Sequence, residues 1–91
     1  MRYMTAWTLP HGEEYRAVIA RFMKTGGTPP TGVKMIGRWH GANGTGFAIA
    51  ESDDAKAIAE MVTEWGEFMD IQATPVLEDA ELAGVLQKLY G

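Results

Sequence analysis

The sequence predicts an α+β fold, one antiparallel sheet with helices, in the order β-α-β-β-α-β-α. Three observations carry this. The stretch VKMIGRWH-GANGTG-FAIAE, Val33 to Glu51, reads as a β-hairpin, because β-rich runs flank a Gly/Asn turn and Asn43-Gly44 suits the positive φ of a type I′ turn. Apolar residues at helical spacing lie on both sides of it, at Tyr15, Val18, Ile19, Phe22 and Met23, and at Ile58, Met61, Val62 and Trp65. A β-rich run opens the chain and another follows the second helix, which makes four strands in all.

The elements follow in order. Strand one is Arg2 to Leu9, with Tyr3, Thr5 and Trp7 on one face and Met4, Ala6 and Thr8 on the other; Pro10 ends it. Helix one is expected over about Gly12–Thr25, its Glu13 and Glu14 at the N-terminus and Arg21 and Lys24 at the C-terminus matching the macrodipole, with Gly26-Gly27 as the left-handed stop. Strand two, Val33 to His40, places Val33, Met35, Gly37 and Trp39 on one face and Lys34, Ile36, Arg38 and His40 on the other. Strand three, Gly46 to Glu51, sets Phe47, Ile49 and Glu51 against Ala48 and Ala50. Ser52 or Asp53 caps helix two, which runs to about Trp65 and closes at Gly66. Strand four, about Glu67–Val76, sets Phe68, Asp70, Gln72 and Thr74 against Met69, Ile71 and Ala73, and Pro75 marks an edge or a strand end. A last helix, about Glu78–Tyr90, carries Leu82, Val85, Leu86 and Leu89 on one face. Read as a split βαβ pair, the order is the ferredoxin-like βαββαβ topology with an added C-terminal helix, and residues 1–91 form one domain of that kind.

Composition narrows the function classes. A net charge of −4 with scattered Lys and Arg argues against nucleic acid or an anionic membrane as partner. Zero cysteines remove disulfides and thiolate chemistry and fit a reducing, cytoplasmic setting. The opening MRYMTAWTLPHGEE lacks the apolar run of a signal peptide, and no stretch approaches the ~18 apolar residues of a membrane span. The loop TGGTPPTG leads into a strand rather than a helix, so it is read as a connection, and GANGTG fails as a nucleotide motif for the same reason. No cofactor is implied.

Both faces of the strands carry large apolar side chains: Met4 and Trp7, Met35 and Ile36, Phe68 and Met69. A sheet with one wet face alternates cleanly, so the second face is expected to be covered by the chain's own last helix or by a second sheet. Four such groups per copy, each worth ~1.5–3 kcal/mol and counted twice by a two-fold, exceed much of the ~4–15 kcal/mol lost on association. A face-to-face homodimer is therefore expected.

The run GRWHGANGTGFAIAESDDAKAIAEMVTEWGEFMDIQATPVLEDAE resembles the short bacterial proteins of domain of unknown function 3303. The resemblance rests on the GRWH strand end, FAIAES-D-D entering a helix, a Trp near that helix end, and D-I-x-x-x-P-V before an acidic helix. It implies a dimeric α+β barrel, in which two ferredoxin-like sheets close face to face, and it implies no activity.

Candidate site residues come from the polar positions of the strands. If Ile36, Arg38 and His40 point inward, they join Glu51, Asp70 and Gln72 against walls from Trp7 and Phe68. A His beside a carboxylate serves as acid or base near neutral pH, and Arg38 suits a carboxylate held by two hydrogen bonds. The competing reading makes Arg38 with Asp70 or Glu51 a structural ion pair, and His40 an exposed hairpin residue. No metal is expected: His40, Glu51 and Asp70 would be the ligands, but there is no close His pair. His11 reads as a cap or loop residue, and Trp39 and Trp65 as core. Two functions are compatible with these residues. One is a homodimeric module that binds a small apolar or amphipathic molecule or serves interaction alone. The other is a cofactor-independent oxygenase- or isomerase-like enzyme using His40, Arg38 and Asp70.

Overall fold

The computed structural model describes residues 1–91. Its elements are β1 (Arg2–Thr8), α1 (Glu13–Thr25), β2 (Lys34–His40), β3 (Thr45–Glu51), α2 (Ala55–Gly66), β4 (Asp70–Val76) and α3 (Asp79–Tyr90). The four strands form one sheet in the order β2-β3-β1-β4, with every neighbouring pair antiparallel. This is the ferredoxin-like α+β topology with a C-terminal helix added.

Local chemistry explains the boundaries. Gly26 adopts the left-handed conformation at φ 68° and returns its N–H to Phe22 O, which stops α1. Asp54, rather than Ser52 or Asp53, is the N-cap of α2, its carboxylate accepting from Lys56 N at 2.9 Å. Ser52 is buried two residues earlier, where its hydroxyl donates to Gly32 O at 2.7 Å and accepts from Asp54 N at 3.0 Å. It thereby ties the β1–β3 region to the loop before β2. The α2 C-terminus continues as a turn, with Phe68 N and Met69 N both donating to Trp65 O, so β4 begins at Asp70 rather than near Glu67. Pro75 lies in β4, an edge strand, where a missing N–H costs nothing.

The hairpin differs from the type I′ expectation. Four residues, Gly41 to Gly44, separate the strands, and Gly44 alone among them has positive φ. Asn43 keeps a negative φ and uses its side chain instead, Oδ1 accepting from Thr45 N at 3.2 Å and Thr45 Oγ1 at 2.7 Å. A side-chain turn of this kind replaces the left-handed backbone.

Strand two differs as well. Met35 pairs with Ala50 and Gly37 with Ile49, so Ile36 is an extra residue, a bulge. A bulge resets the alternation. Met35 therefore shares the face of Arg38 and His40, while Ile36 stands 44% exposed.

Helices α1 and α2 cover one face of the sheet. Tyr3, Thr5 and Trp7 of β1, Ala48 and Ala50 of β3, and Ile71 and Ala73 of β4 are cross-strand neighbours there. The small residues of β3 let α2 come close, and Ala50, Ile58 and Met61 form the buried core, with Tyr3, Val33, Trp65 and Ala73 packed around it. The opposite face carries Met4 and Ala6, Phe47 and Ile49, Gln72 and Thr74, and Trp39. It has no helix over it. Trp39 is 52% exposed rather than in the core, its ring stacked on Phe47 at 5.2 Å.

The last helix does not roof that face. Every residue of α3 is exposed, including Leu82, Val85, Leu86 and Leu89. The radius of gyration, 15.3 Å, exceeds the ~12 Å of a compact chain this long, as an outlying helix requires. A capping box between Glu78 and Glu81 and an Arg2–Glu78 ion pair fix where α3 starts.

Candidate functional site between the helices and the sheet

Between the helix layer and the sheet lies a cavity of about 280 Å³. Its floor is Thr5, Trp7 and Leu9 from β1 and its end, Ala48 from β3, Met35, Arg38 and His40 from β2, and Ile71 from β4. Its roof is Val18, Ile19 and Phe22 from α1, with Met61 and Trp65 from α2, and Gly27, Pro29 and Met69 complete the wall. The void exists because β3 offers small side chains on this face. Gly46 matters most: a methyl there would lie 2.6 Å from the Trp7 indole, which spreads flat across the strand in its place.

Two charged or titratable side chains line the cavity, Arg38 and His40, and no carboxylate does. His40 is exposed at the mouth, its ring 5.9 Å from Trp7 and 5.8 Å from Phe22. Arg38 is half-buried. Its Nη1 donates to Gly27 O at 2.9 Å and its Nη2 to Gly26 O at 3.2 Å, and the guanidinium lies 4.9 Å from the Phe22 ring centre. Arg38 thus crosses from β2 to the end of α1 and closes one side of the mouth. Gly27 makes this possible, because at φ 65° it accepts the left-handed turn, and a methyl would collide with Arg38 Nη1 and with Phe22 at 2.8 Å. Gly27→Ala is expected to cost ~1–3 kcal/mol, read as a lower midpoint in thermal and urea unfolding.

The candidate residues divide between the two faces. Trp7, Arg38 and His40 come together at the cavity. Glu51, Asp70 and Gln72 pair with Arg2, Thr8 and Ala6 on the opposite face and do not reach it. Glu51 instead makes an ion pair with Arg2 at 3.5 Å. Ile36 stands out at the bulge, and Phe68 packs on Trp65 and under Arg21, outside the cavity lining. Asp70 therefore cannot serve as the acid partner of His40, nor can His40, Glu51 and Asp70 share a metal. No three His, Asp or Glu side chains converge on a metal position. No helix is long and apolar enough to cross a membrane.

Sequence reasoning placed Val18, Ile19, Phe22, Met61 and Trp65 on buried helical stripes but had no sign that a void lay beneath them. The available signal was the Gly46, Ala48, Ala50 series, small residues on one face of a strand opposite large ones on both helices.

A family description, Domain of unknown function (DUF3303), matches residues 1–90. The chain belongs to this family. No curated protein and no solved structure matches this chain. Within this member of DUF3303, the cavity is a concave site that joins apolar walls to oriented polar groups, the combination typical of small-molecule sites.

Proposed function

We propose that this DUF3303 protein is a small-molecule-binding module that holds an apolar or amphipathic ligand between its helices and its sheet, and that it works as a homodimer joined through the open sheet face. The apolar cavity with Arg38 and His40 at its mouth carries the ligand reading. The alternative, an oxygenase- or isomerase-like enzyme, needs a carboxylate beside His40, and the cavity lining holds none.

The dimer rests on area. Four seven-residue strands present a face of ~460 Å², and the apolar side of α3 adds ~180 Å². Two copies of the sheet face alone fall short of the ~1,200 Å² of a stable interface, and sheet and helix together reach it. This gives α3 a role, because an isolated twelve-residue helix is marginal in water.

The ligand reading is tested with an uncharged amphiphile, 1-octanol. At ten times its Kd it stabilises the fold by ~1.4 kcal/mol, a rise of about 5–10 °C for a chain this size. Ala48→Leu projects a larger side chain into the void and is expected to remove that rise. An equal rise in the variant places binding elsewhere.

A further inference from the structure

The cavity's charge pattern bears on what it takes. Its lining holds an arginine and a histidine and no acid. The ion pairs of the chain engage Arg2, Arg21 and the amino terminus. Arg38 has no carboxylate; its charge meets two backbone carbonyls and the face of Phe22. Those contacts hold the guanidinium plane in one place, and they use two of its five N–H donors. The His40 side chain, at the same mouth, makes no hydrogen bond within the chain and has no ion-pair partner. A fixed cation without a counter-charge, at the edge of an apolar void, is the arrangement that recognises an anionic head on an apolar tail.

Size limits the tail. A void of about 280 Å³ is equivalent to roughly nine waters of liquid volume, so the ligand has on the order of ten non-hydrogen atoms. The donors limit the head. An edge of the guanidinium offers a pair of parallel N–H donors, and the donors left on Arg38 match the two oxygens of a carboxylate one to one.

We propose that the cavity selects a carboxylate amphiphile of about ten non-hydrogen atoms, its tail among Val18, Met61 and Ile71 and its head on Arg38 beside His40. This rests on the reading of the cavity as a ligand site.

The test is isothermal titration of the full chain with octanoate, 1-octanol, octylammonium and octyl phosphate. Octanoate is expected to bind at least tenfold more tightly than octanol, octylammonium most weakly, and octyl phosphate no better than octanoate. Raising NaCl from 50 to 500 mM is expected to shrink the octanoate advantage several-fold and leave octanol unchanged. Arg38→Gln is expected to bind octanoate no more tightly than it binds octanol. Should that variant fail to fold, the salt series on the parent chain decides. Octanol binding as well as octanoate, or an octanoate advantage indifferent to salt, overturns the charge assignment and leaves the cavity reading standing. Tighter octyl phosphate overturns the carboxylate. Failure of all four compounds removes the cavity reading itself.

Discussion

In the proposed dimer, Phe47→Asp is expected to leave only monomer in size exclusion with light scattering at micromolar concentration. Phe47 lies in the middle of the helix-free face, stacked on Trp39, and is 43% exposed in a single copy. Its cross-strand neighbours Ala6 and Trp39 present no cation to an introduced carboxylate. A two-fold interface carries the change twice. Each copy forgoes ~1.5–3 kcal/mol of apolar burial, so the pair loses ~3–6 kcal/mol before any cost of burying charge. That weakens association by a factor of about 10²–10⁴. The monomer's own fold should be kept, because Phe47 points away from the Ala50, Ile58 and Met61 core. A variant that stays dimeric with an unchanged Kd would show that this face is not the interface.

Met61→Ala has the largest expected effect on stability. Met61 is 4% exposed, belongs to the buried core and also lines the cavity. Truncating a buried Met costs ~2–5 kcal/mol, a large share of the ~5–15 kcal/mol that holds such a chain folded. The adjoining void prevents the surroundings from collapsing around the gap, which favours the upper part of that range. The same deletion enlarges the ligand site. The variant should therefore unfold at clearly lower urea and recover more stability from a longer amphiphile, such as 1-decanol, than the parent does. Equal ligand effects on both proteins would separate the core from the site.

Much of the fold was legible. Helical stripes, the Gly26-Gly27 stop and the hairpin gave the element order, because each depends on residues within one segment. The facing of residues within β1, β3 and β4 was legible for the same reason, since alternation is local. Two things were not. A bulge inserts one residue without changing the kinds of residue around it, so VKMIGRWH read as an unbroken alternation that put Met35 opposite Arg38. Alternation also says which residues of one strand share a face, but not which sets from different strands share the same one. Register decides that, and it sent Glu51, Asp70 and Gln72 to the face away from Arg38 and His40. The turn was misjudged through chemistry, since Asn43 had a second option in the Thr45 side chain and backbone.

The methionines offer the most direct test of where a ligand sits. Met35, Met61 and Met69 line the cavity, whereas Met1, Met4 and Met23 do not. With ¹³C-methyl-methionine protein titrated with octanol, methyl NMR should move the Met35, Met61 and Met69 signals and leave those of Met1 and Met23 in place. Shifts confined to Met4, on the open sheet face, or the absence of any shift at Met35, Met61 and Met69 under saturating ligand, would contradict a site between the helices and the sheet.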